Sequence, residues 1–437
     1  MVVASVSTAW LRMHVLYVVS FLDLMAVSMI IPSLASHVKA MDGGALGFGV
    51  IMSVYGLLQV FAAPLAGSLS DALGRRRVLL ACIAGAGAGY ALLGLAWNVW
   101  LVALSRVPCA LFKHTLDLIK VAVADAEQPA ARSAAIGRLN AAANAGFILG
   151  PVVGGYVSAL PHGFHYTALL TAAVFALNYA LVALFFRDEC ARAKSLGDAA
   201  ASGAAAAVDW PQMLRNSRDK LLEFRNILRE TGPAKTLLVA RLLLAMAAIL
   251  YRTHFSVLLE DKFGTDAKAR GFLLSYMGVL GTVGSFAVGF ATRLVRSERL
   301  LLQLSSLVYV ATFVALSKAA SVEQVYVLLV PQVVAISMLR ASSIGLQTTF
   351  VSQERVGAFM GVSSSLTSIG RTICPLVSGW TYMLSVDGPA YGAALLAGTS
   401  AAMFCFSPHF ARIGDAKWAA AATSSASSSA KRKASSD

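Results

Sequence analysis

Seven ionisable side chains lie inside long apolar stretches of this 437-residue sequence: Asp23, Arg106, Lys113, Asp117, Arg241, Arg340 and Arg371. A charge at the centre of a helix in hydrocarbon costs about 2.5–3.5 kcal/mol even on insertion scales, so such groups pair, face a wet cavity or serve a function. A carboxylate in that setting can take up and release a proton, and a guanidinium can hold an anion. On one continuous helix Arg106, Lys113 and Asp117, with Lys120 beyond them, fall within about 60° of each other, a stripe that cannot face lipid. Depth suggests a particular partner. Eleven residues of helix from Arg12 put Asp23 about 16 Å into the bilayer, and eight from Asn98 bring Arg106 to about 18 Å from the same face. An ion pair between Asp23 and Arg106 is therefore expected.

The elements that must carry these groups are membrane helices. The chain is 57% hydrophobic and 13% charged, with mean hydropathy +0.70, too apolar for a soluble protein of this length. Twelve apolar runs divide six and six around a charged, alanine-rich stretch. The expected organisation is a six-helix bundle over 1–187, a linker over 188–233, a second bundle over 234–411 and a disordered tail over 412–437. The linker's second part, Trp210 to Arg229, could form an amphipathic helix. The net charge of +14 collects in alternate loops, which sets topology and does not make a nucleic-acid surface. Both termini are expected in the cytoplasm. Cys82, Cys109, Cys190, Cys374 and Cys405 show neither CxxC nor metal spacing, so no metal or cofactor is expected. No phosphate-cradling loop, zinc-protease motif or nucleophile elbow occurs, which argues against an enzyme.

Three motifs sharpen the reading. Gly67 to Arg77 reads GSLSDALGRRR between two spans; a basic hairpin loop would account for Arg75, Arg76 and Arg77 but not for Asp71 or for Gly67 and Gly74. The fifth apolar run reads AGFILGPVVGGY, where Gly146, Gly150, Pro151, Gly154 and Gly155 promise a tight, bent helix seam. Gly137, Gly146, Pro151 and Gly155 recur 224 residues later as Gly361, Gly370, Pro375 and Gly379, an internal repeat of the two halves.

The GSLSDALGRRR loop resembles the signature between the second and third helices of the major facilitator superfamily, and the glycine seam resembles its antiporter motif. FLDLMAVSMIIPSL, with Asp23 and Pro32, is similar to the acidic first-helix signature of its tetracycline-efflux-like drug:proton antiporters. Arg106 stands where that branch has its fourth-helix arginine, although the glycine expected four residues on is Ala110. The resemblance implies an all-α membrane fold of twelve transmembrane helices in two pseudo-symmetric six-helix bundles. It further implies a monomeric secondary carrier in the lipid bilayer that moves a small molecule by alternating access, with protons as the coupling partner. A non-transporting sensor or scaffold on the same fold is the other reading. The excess of buried cations points to an anionic or amphipathic solute. In the two-half geometry Asp71 should gate the carrier by meeting the helix start near Arg355 to Ala358.

Overall fold

The computed structural model describes residues 2–186, 233–295, 298–350 and 356–407. The linker expected over 188–233 (but for Pro233) and the tail over 412–437 lie outside them, as does the Trp210 to Arg229 helix. Among the described residues there is no strand, and the helices group into twelve spans. The first six are α1 (Val2–Met29 continuing as Ile31–Val38), α2 (Gly44–Leu73), α3 (Arg75–Gly94), α4 (Val99–Phe112 and Thr115–Ala126), α5 (Pro129–Ser158) and α6 (Gly163–Phe185). The second six are α7 (Pro233–Thr253 and Phe255–Phe263), α8 (Ala267–Leu294), α9 (Glu298–Ser317), α10 (Val322–Phe350), α11 (Val356–Leu384) and α12 (Gly388–Phe406).

Local chemistry explains the boundaries. Pro32 has no amide hydrogen to continue the ladder, and α1 steps at Ile30 beside it. Asn98 caps α4 by accepting from the Leu101 amide at 2.8 Å. Gly74 joins α2 to α3 at φ 91°, ψ 147°, a backbone region that a side chain strains. Gly74→Ala should therefore lower stability by about 1–3 kcal/mol. Thermal unfolding in detergent would show it, and an unchanged midpoint would refute the strain argument.

Outward faces are apolar: Trp100 is 80% and Phe286 81% exposed, a surface that suits lipid and not water. Nine stretches among the described residues are long and apolar enough to cross a bilayer; one of them, Met13–Leu73, takes in both α1 and α2, so that together they touch ten of the twelve spans. The remaining two are α4, which is broken and charged, and α11, which is rich in Gly, Ser and Thr. The chain is an integral, multi-pass membrane protein.

Compactness does not follow the order of the chain. One unit holds α1 to α6 together with Arg252–Val279 and Arg371–Val386, that is, one end of α7, α8 and α11. The other is built from the α7 helix up to Tyr251, Leu280–Gly370 and α12. Within the second, Ser400 of α12 donates to the Ala240 carbonyl of α7 at 3.0 Å and Gln303 of α9 to the Phe404 carbonyl at 3.1 Å.

Candidate functional site

The first unit has its charged centre where α1, α3 and α4 meet. Asp23 on α1 is completely buried and forms an ion pair with Lys113, not with Arg106. The expected Asp23–Arg106 pair is thus corrected, and the reason is a break in α4. Lys113 (φ −80°, ψ 59°) and His114 (φ −119°, ψ 13°) leave the helix, which frees the four-carbon stem of Lys113 to reach Asp23. The second carboxylate oxygen of Asp23, Oδ1, has no hydrogen-bond partner.

The same break overturns the four-residue stripe. Helical phase does not carry across non-helical residues, so Asp117 ends 77% exposed at its side chain, paired locally with Lys120 at 3.2 Å. Arg106 goes elsewhere. It is 5% exposed, its guanidinium carbon stands 5.1 Å from the Tyr90 ring centroid, and its Nη2 is buried without a partner. Tyr90 stacks on Phe175 at 5.3 Å, and the Lys113 ammonium lies 5.6 Å from the Phe175 ring. Two cations therefore rest on one pair of stacked aromatic rings, an arrangement worth about 0.5–2 kcal/mol for each cation.

The glycine seam packs as the spacing implies. A Cβ on Gly146, Gly150 or Gly154 would fall within 3.0 Å of α1 backbone, against Phe21, Met25 and Met29 respectively. Gly155 faces the other way, where its Cβ would lie 2.7 Å from the Ala267 carbonyl of α8, and the Pro151 carbonyl crowds Gly271. The repeat reproduces this packing. Gly379 on α11 faces the Ala45 carbonyl of α2 at 2.8 Å, and the Pro375 carbonyl crowds Gly49. Thus α5 seals against α8 and α11 against α2 in pseudo-symmetric fashion.

That end of the first unit is also latched by polar groups. Lys39 pairs with Asp261 at 2.5 Å, the Tyr382 hydroxyl donates to Asp261 at 2.5 Å, and Arg270 pairs with Glu260. His254, at the break in α7, lies 2.9 Å from the Ala45 carbonyl and 2.7 Å from the Ser378 hydroxyl. None of these residues stood out in the sequence, yet a signal was there. Lys39 and Asp261 carry opposite charges 222 residues apart, close to the repeat offset.

At the opposite end the GSLSDALGRRR turn ties α2 and α3 to α4 and α6. Arg75 bonds Asp71 at 2.6 Å, Ser70 at 2.6 Å and Asp125 of α4 at 3.1 Å, while Arg76 donates to the Ala183 carbonyl of α6 at 2.5 Å. Nothing crowds Gly67. The partner expected for Asp71 near 355–358 involves side chains outside the described residues. In the second unit Arg241 keeps a buried Nη1 without a partner, Arg340 on α10 is exposed, and neither has a carboxylate among the described residues. Arg371, on the part of α11 that joins the first unit, is likewise exposed.

A family model described as Major Facilitator Superfamily matches residues 15–317. The chain belongs to this superfamily of membrane transporters. Among its members the tetracycline resistance protein, class D, of Salmonella ordonez is 26% identical over 383 residues, covering 86% of this chain and 91% of that protein. Human solute carrier family 67 member A1 is 30% identical over 355 residues, 80% of each chain. The crystal structure of the human organic anion transporter MFSD10 shares the superfamily fold with a TM-score of 0.62 at 20% identity, covering 91% of this chain and 99% of that one. The tetracycline-efflux-like branch read from Asp23 and the seam agrees with these relatives.

Proposed function

We propose that the protein is a proton-coupled antiporter of a small organic solute, working by alternating access, with Asp23 as the proton carrier. The observation that carries this reading is the Asp23–Lys113 pair: a fully buried carboxylate held by one cation, with its other oxygen unpartnered. Protonation of Asp23 would cancel its charge and release Lys113. The freed ammonium could then meet solute or move with α4. A buried pair of this kind is weak evidence for stability alone, because desolvation offsets much of the attraction. Asp23 shares α1 with Phe21, Met25 and Met29, which meet the α5 glycines, so a shift of α1 on protonation would be felt at that seam.

The closed latch of Lys39, Asp261 and Tyr382 supports alternating access, since exposed or half-buried ion pairs, worth about 0–1 kcal/mol each, can open during a cycle. In this reading the latched end faces away from the cytoplasm, and the Arg75 turn and both termini face it. The chain acts as a monomer, since one chain supplies every element of this pathway.

Reconstituted protein in liposomes tests the proposal. Asp23→Asn should lose uptake driven by an imposed pH gradient while retaining solute exchange at zero gradient. Full gradient-driven uptake by that variant would remove Asp23 from the coupling, and loss of exchange as well would make the pair structural.

A further inference from the structure

We propose that Arg106 and Arg371, with Tyr55 between them, form the binding site for the anionic group of an organic solute. This deepens the transport reading and rests on it only for the path the solute takes.

The strongest observation is Arg106. Its guanidinium is buried, makes no ion pair with a described carboxylate, and leaves Nη2 without any hydrogen-bond partner. Its contacts are with Tyr90, both the ring and a side-chain hydrogen bond, and a long 3.4 Å hydrogen bond from Nε to the neighbouring Ser105 hydroxyl, all with uncharged groups. Lys113 already occupies Asp23, the only buried carboxylate among the described residues, so no described carboxylate neutralises Arg106. A buried charge that no protein group neutralises calls for a counter-ion from outside.

Arg371 brings a second cation alongside the same stretch of α2. A Cβ on Gly56 would lie 2.7 Å from the Arg371 carbonyl, so the α2 and α11 backbones touch one residue from Tyr55. The Tyr55 hydroxyl lies within electrostatic reach of both Arg106 and Arg371. That hydroxyl accepts a hydrogen bond from Gln59 Nε2 at 3.0 Å, which orients it and leaves its own hydrogen to donate. Guanidinium, guanidinium and phenol are all donors to an oxyanion, and guanidinium forks match carboxylate, sulfonate and phosphate alike. The half-buried Tyr55 ring offers an apolar contact for the rest of the molecule, while Tyr90 and Phe175 are already covered by protein. The ligand class is therefore an aromatic or alicyclic organic anion. Lipophilic cations, which Arg106 would repel, are excluded.

Equilibrium binding to purified full-length protein in detergent tests the site without needing transport. The probes are p-aminohippurate, naphthalene-2-sulfonate and phenyl phosphate, with p-aminohippurate ethyl ester as neutral control and benzyltrimethylammonium as cation, read by thermal shift and by equilibrium dialysis. At least one anion should bind, the ester and the cation should not, and Arg106→Gln or Arg371→Gln should weaken anion binding about tenfold or more. Lys120→Gln removes the same charge away from the site and should leave binding unchanged. Should Arg106→Gln fail to fold, Arg371→Gln and Tyr55→Phe carry the test. The proposal is overturned if none of the three anions binds, if the ester or cation binds as well, or if Arg371→Gln binds like wild type. Anion binding that depends on Arg371 without movement into liposomes would uphold the site and refute transport. Asp23-dependent movement of the cation alone would do the reverse.

Discussion

Lys113→Met should lower the unfolding free energy of the detergent-purified protein by about 3–5 kcal/mol, and adding Asp23→Asn to it should restore most of that loss. The reason is asymmetry in burial. Asp23 has no solvent exposure and Lys113 has 10%, so removing the cation strands a carboxylate that already has one unpartnered oxygen. Removing both charges replaces a costly pair with neutral groups of similar size. A double-mutant cycle with thermal or SDS unfolding measures the coupling directly. A single-variant loss below about 1 kcal/mol would show that Lys113 is not what compensates Asp23, and a double variant no better than Lys113→Met would show that its stem, not its charge, is what matters.

The second large effect concerns the seam. Gly150→Val and Gly154→Val should each abolish recovery of monodisperse folded protein, whereas Gly137→Ala should be neutral or stabilise by up to about 1 kcal/mol. At Gly150 even a methyl group would collide with the Met25 carbonyl and the Ser28 hydroxyl, and at Gly154 with three backbone atoms of Met29. Backbone cannot step aside as a side chain can, so the cost lies at or above the top of the usual 1–3 kcal/mol for overpacking. Gly137 has nothing within 4 Å, and there an alanine gains only the helix propensity that glycine lacks. Size-exclusion profiles of the three variants after membrane extraction decide the matter. A normal profile for Gly154→Val would mean that α1 and α5 can separate.

Much of this was legible in the residues because it depends on local sequence. Twelve apolar runs of bilayer length dictate helices, and a proline or glycine acts on its own backbone wherever it stands. The seam glycines at four-residue spacing mark a close helix approach, and the 224-residue repeat states that the approach occurs twice. What the repeat did not disclose is the partner of each face, because a stripe of glycine accepts any backbone that is brought to it.

Charge pairing was decided only by the tertiary structure. The choice of Lys113 over Arg106 for Asp23 turns on two residues, Lys113 and His114, that leave the helix between Phe112 and Thr115. Periodicity assumes an unbroken helix, and an error in phase at one point displaces every residue after it, which is why Asp117 left the buried stripe. The latch of Lys39, Asp261 and Tyr382 joins residues up to 343 positions apart in sequence, a distance over which local pattern carries no energy. By itself the sequence determined a multi-pass helical carrier with a repeated glycine seam, since burial of apolar surface and backbone geometry are properties of each segment. The folded structure decided which cation neutralises Asp23 and which find no carboxylate among the described residues, because an ion pair is a property of two segments and of the distance that the packing leaves between them.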